Sequence, residues 1–185
     1  MAQPSEANYI DSKPLKVGHI KREKQHKTFK NIARKGKSSM GWFFGFKLHV
    51  IINQYGQLVR FQLTTGNVAD NNHHLLRHIL KAIDQTVYGD KGYLTKIIHE
   101  LQEPGNQLIT NLKKKMKAPK RTPKETYYLQ KRGLIETVFD QLVHQMDIEH
   151  SRQRSPKNFV CYLWSGLIAY AFKPTKPQIK PFEQC

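Results

Sequence analysis

A chain of 185 residues is the size of one ordinary domain and can bury a continuous core without disulfide staples. Thirty-one Lys plus Arg face fourteen Asp plus Glu, a formal +17, which folding does not require and which implies a polyanionic partner. The longest apolar run, near residues 160–172, is interrupted by Cys161, Tyr162, Trp164, Ser165 and Tyr170; it is too short to span a bilayer, so nucleic acid is favoured over membrane.

The opening MAQPSEANYI has neither the basic start nor the apolar core of a secretory signal. A cytoplasmic, nucleoid-associated setting is expected. Residues 9–12 form a short candidate strand that contains Asp11. Residues 13–37 carry ten basic residues and one acid, Glu23, without apolar periodicity; this predicts a mobile basic loop, reaching to about residue 40, that contacts DNA. In GWFFGFKLHVIIN, Phe46, Leu48 and Val50 alternate with Lys47, His49 and Ile51, a strand pattern. The aromatic run Trp42, Phe43, Phe44 and Phe46 can stack bases or pack within the strand, and packing is the favoured reading.

The QYGQ segment predicts a tight reversal into a strand at 58–64, giving an antiparallel hairpin. Asp70 precedes a run with Leu75, Leu76, Ile79 and Leu80. It is expected as the N-cap of a helix reaching Ile83, a structural role. On that helix His73, His74 and His78 have no cysteine partners and read as surface residues.

Residues 86–88 lead as a strand into GDKGY, followed by a helix at 94–101 and a short strand at 108–110. A second basic loop is expected over about 112–126, with two prolines that forbid a continuous helix. Ile135, Val138, Phe139, Leu142 and Met146 recur at helical spacing. A final buried helix starts at Ser155 and Pro156 and runs to Phe172; Cys161 is read as part of its core. One domain, 1–172, is expected, followed by a disordered Pro- and Lys-rich tail at 173–185.

Three acids stand out in so basic a chain. Asp11 lies in an apolar strand, where an ionised side chain is costly unless paired or metal-bound. Asp90 ends a strand between Gly89 and Gly92, which let the chain turn and aim the carboxylate outward. Glu136 borders the apolar stripe of its helix and is expected to face the sheet's edge, away from open solvent. Spacing alone leaves other readings open: a turn residue, a strand-end cap, and a pair with Arg132 one helical turn away.

The ordered segments YIDS, GFKLH, TTGNVAD, YGDKGY, LIT, KRGLIETVFDQL and IEHSRQRS resemble the catalytic domain of bacterial insertion-sequence DDE transposases over residues 8–172. The resemblance implies an α/β, ribonuclease H-like mixed five-stranded sheet flanked by helices. It implies that Asp11, Asp90 and Glu136 are the catalytic, metal-binding acids for two Mg2+ or Mn2+ ions. Strand cleavage and strand transfer at transposon ends and target DNA follow, and a homodimer is left open. Lys91, Arg132, Arg152, Arg154, Lys113, Lys114 and Lys115 become candidate DNA contacts.

Two departures from the family pattern stand out. Val143, followed by His144, occupies the position seven residues after the glutamate where relatives often place a basic residue. Only ten residues precede Asp11, so an N-terminal DNA-recognition region is expected to be missing. The alternative is a catalytically inactive, truncated remnant that acts only as a DNA-binding protein.

Overall fold

The computed structural model describes residues 1–81, 83–94, 107–111, 120–149 and 154–182. Six strands form one mixed sheet: β1 (Asn8–Gly18), β2 (Arg34–Ser38), β3 (Gly41–Asn53), β4 (Leu58–Thr65), β5 (Val87–Gly89) and β6 (Leu108–Thr110). The long β3 organises it. β1 lies antiparallel along one edge of β3 from Phe44 to Asn53, while β2 and β4 pair successive stretches of β3, Gly41–Gly45 and Phe46–Ile52. β5 and β6 extend the sheet beyond β1 as parallel neighbours.

Helices cover both faces, as expected of an α/β, ribonuclease H-like domain. On one face α2 (Pro123–Gln130), α3 (Gly133–His144) and α4 (Pro156–Phe172) pack on Tyr9, Phe46, Leu48, Val50, Ile52 and Tyr88. On the other, α1 (His73–Leu80) packs Leu76, Ile79 and Leu80 on Ile10, Ile51, Val59 and Val87. The period-two alternation of β3 therefore separates two cores and leaves no wet face. Even Lys47 and His49 are buried.

The expected basic loop at 13–40 is largely regular structure. β1 continues to Gly18, a 3-10 turn occupies Ile20–Gln25, and β2 follows. Strand pairing here comes from backbone hydrogen bonds to β3, which tolerate basic side chains on an exposed strand. Of the loop expected at 112–126, residues 112–119 lie outside those described and residues 123–126 belong to α2. Thr122 and Glu125 cap it reciprocally, each side chain accepting from the other's backbone N–H. The predicted helix at 94–101 lies outside the described residues apart from Leu94.

α4 has its predicted bounds but is buried on one side only. Phe159, Leu163, Leu167 and Tyr170 face the core, while Val160, Trp164, Ile168 and Phe172 are exposed. Cys161 is exposed too, which corrects its reading as a core residue. It belongs to the outer side of a helix that is apolar nearly all round. Residues 173–182, expected as a disordered tail, instead pack Ile179 and Phe182, both half-buried, against the core. Ile179 N–H donates to the Gln54 carbonyl at 3.0 Å, and Phe182 N–H to the Tyr128 hydroxyl at 2.9 Å.

Gly45, where β1, β2 and β3 meet, has no room for a side chain: a Cβ there would collide with the Leu15 carbonyl oxygen. The obstacle is backbone, so the clash is not relieved by a rotamer change. Gly45→Ala is expected to cost about 3 kcal/mol, read as a lowered midpoint in thermal unfolding.

Candidate active site

β1 and β5 run parallel with Asn8 opposite Val87, Tyr9 opposite Tyr88 and Ile10 opposite Gly89. Pairing stops there. The next residue on each strand is an acid, Asp11 and Asp90, so the two carboxylates leave the carboxyl end of the parallel pair side by side. Crevices at such strand ends are where open α/β sheets bind ligands. Asp90 precedes a 3-10 turn, Lys91–Tyr93, and its side chain does not cap that turn. Neither Gly89 nor Gly92 takes a positive φ, unlike Gly41 and Gly56. The missing side chain matters for a different reason: a Cβ on Gly89 would press on Ile10 and Tyr93.

Asp11 is 26% exposed. Burial pushes its pKa up to about 6, the Ser12 N–H and the Arg132 guanidinium pull it down, and Asp70 and Asp90 push it up again. The Ser12 N–H donates to Asp11 Oδ1 at 2.8 Å. Desolvation outweighs these favourable contacts because the Arg132 guanidinium stands off at 3.9 Å and is shared with Glu136.

Glu136 sits in the first turn of α3. Its side chain is 63% exposed, which corrects the expectation that it would be withdrawn from solvent. Ile135, Val138, Phe139 and Leu142 take the buried stripe, and Glu136 falls on the flank. The pair with Arg132 that the spacing left open is present, Nη2 donating to Glu136 Oε1 at 3.1 Å. Arg132 also does more, its Nη1 lying 3.9 Å from Asp11 Oδ2. One guanidinium thus spans the first and third acids, 125 positions apart in the chain.

A further acid, Asp70, is linked to Asp11 through Ser12. Asp70 was expected to cap α1, but Asn72 does so, accepting from Leu75 N–H at 3.1 Å. Asp70 is thereby released to accept from the Ser12 hydroxyl at 2.9 Å and from Lys47 Nζ at 3.1 Å. His49 Nδ1 lies 3.9 Å from the same oxygen. Burial pushes His49 down to about 4, with Asp70 pulling upward and Lys47 adding to the fall; the ring is neutral at pH 7. The sequence signal was Lys47 and His49 on one face of a doubly buried strand, since a buried ammonium requires a nearby carboxylate.

Asp70→Asn leaves the Lys47 ammonium, 9% exposed, without its counter-charge. The expected loss is about 2 kcal/mol, below the range for fully buried pairs because Asp70 is partly solvated. Urea denaturation measures it.

Of the candidate DNA contacts, Lys91 is exposed in the turn after Asp90 and Arg154 is exposed just before α4. Lys113, Lys114, Lys115 and Arg152 lie outside the described residues. Val143 is buried in the core, and the neighbouring His144 pairs with Asp140 at 3.4 Å. His73, His74 and His78 are exposed on α1 as expected. Among the described residues no group of three or more acidic, histidine or cysteine side chains is drawn together tightly enough to hold a metal ion. Among those residues, too, no helix is long and apolar enough to cross a membrane.

The fold and site define an α/β domain of ribonuclease H-like type with carboxylates at the ends of adjoining parallel strands. A family model described as "Transposase DDE domain" matches residues 1–156, and the chain belongs to that family. Comparison with curated proteins and with solved structures gave no significant match.

Proposed function

We propose that this domain cleaves DNA strands and transfers their ends in insertion-sequence transposition, with Asp11, Asp90 and Glu136 as its catalytic carboxylates. The observation that carries the reading is the emergence of Asp11 and Asp90 side by side from β1 and β5, in a chain of net charge +17.

The donor set fits Mg2+ or Mn2+. Carboxylate oxygens, with the Ser12 hydroxyl beside them, are hard ligands, and among the described residues neither cysteine nor an available histidine competes. Asp11, crowded by Asp70 and Asp90 and short of water, gains most from a cation. When bound, two such ions supply an activated oxygen nucleophile and stabilise the leaving oxygen of an in-line displacement. Asp11 and Asp90 would hold such ions, with Glu136, exposed in the first turn of α3 and paired with Arg132, as the third carboxylate. The Arg132 and Lys91 side chains hold a phosphate against the acids, while Arg154 and the wider positive field gather the DNA backbone.

The test is incubation of the purified chain with Mn2+ and a duplex bearing the element's terminal sequence. Nicking at the end, and joining of the freed 3′-hydroxyl to a second duplex, are expected. Binding without cleavage at any metal concentration contradicts the enzymatic reading and favours a protein that only binds DNA.

A further inference from the structure

In the run Trp42, Phe43, Phe44 and Phe46 the three phenylalanines are buried, whereas Trp42 is 58% exposed. It stands on the β2–β3 hairpin opposite Lys37. Lys35 Nζ lies 4.9 Å and Lys37 Nζ 5.6 Å from its ring centroid. The indole also lines a cavity of about 440 Å3, with Lys35, Lys37, Lys47, Asn67 and Asp70 among its walls.

That cavity reaches Asp70 and the turn that follows Asp90. Asp70, which accepts from Ser12 beside Asp11, forms one wall, and Gly92, two residues beyond Asp90, forms another. Its contents suit one chemical class. A flat π face takes a planar base, ammonium groups take phosphates, and an amide reads a base edge. A base inside a duplex is already stacked on both faces and cannot offer itself, whereas an unpaired base can.

We propose that Trp42 is the stacking platform for an unpaired DNA base in the cavity walled by Asp70, with Lys35 and Lys37 moving from the ring to the flanking phosphates. This rests on the DNA-processing function proposed above. The strand is then held single at the point where it meets the carboxylates.

Trp164→Phe leaves Trp42 as the sole tryptophan of the full-length chain, since there are two in all. That protein is titrated with three duplexes of one sequence: blunt, with three unpaired thymidines, and with three abasic residues in their place. The thymidine overhang is expected to quench Trp42 fluorescence and to bind about 10-fold more tightly than the abasic one. In the same background, Trp42→Ala, read by anisotropy of labelled DNA, should erase that preference, and Trp42→Phe should keep most of it. Circular dichroism of each variant confirms the fold. A preference that survives in Trp42→Ala overturns the proposal, as does equal binding of thymidine and abasic overhangs by the Trp42 protein. If no duplex binds, blunt ones included, the DNA-processing function itself falls with it.

Discussion

Asp90→Asn is expected to lower Mn2+-dependent strand cleavage by about 10³-fold, the scale of losing one preorganised charge-stabilising group. The fold should survive. The Asp90 side chain caps nothing in the turn that follows it, so an amide of the same shape leaves the local backbone unchanged. DNA binding should survive too, within about twofold, because removing a negative charge next to Lys91 does not weaken phosphate contacts. The pairing of these outcomes is the useful part. A protein that only binds DNA gives no cleavage in either form, and a fold defect lowers binding and melting temperature together. Cleavage assays alongside salt-dependent binding separate the three cases.

Asp11→Asn should inactivate the protein and make it more stable at neutral pH. The acid's pKa is raised from its ordinary 3.8 to about 6 in the folded chain, so folding favours the protonated form. Below pH 3.8 the group is protonated in both states and costs nothing, and the penalty grows as pH rises through the folded value. At pH 7.5 it reaches about 3 kcal/mol, and at pH 4.5 it is only about 1 kcal/mol. Asparagine stands in for the protonated acid and escapes this cost. Urea denaturation at the two pH values should therefore show the variant ahead by a margin that shrinks with acidity. Saturating Mn2+ should also close the gap by stabilising the parent protein alone. If Asp11→Asn is destabilising at pH 7.5, the contact with Arg132 outweighs desolvation and the electrostatic account of the site is wrong.

The parts of this fold visible in the sequence are those whose cause is local. β3 and β4 show as alternating apolar runs around a turn, α3 as an apolar stripe, and α4 as an apolar run after a proline. β2 and the second half of β1 were hidden because their residues are basic and their stability comes from pairing with β3, far along the chain. Periodicity cannot show that α4 has a core on one side only, since its outer face is as apolar as its inner one. Asp11 and Asp90 were legible as acids in apolar or glycine-flanked settings. Asp70 was not, because its partners Lys47 and His49 reach it only once β3 is folded beside the loop. Glu136 was located on the right helix, but its exposure depends on which flank of the stripe meets the sheet. Arg132 was legible only as its helical neighbour; the contact with Asp11 is tertiary.

If Asp11 and Asp90 form one divalent-cation site, direct Mn2+ binding shows it without DNA or turnover. Electron paramagnetic resonance of free Mn2+ reads the bound fraction in the parent protein and in the Asp11→Asn and Asp90→Asn variants. The account predicts saturable binding by the parent and weakening of at least about 10-fold in each variant, the cost of removing a carboxylate ligand from a hard-cation site. Equal binding by all three proteins would contradict it.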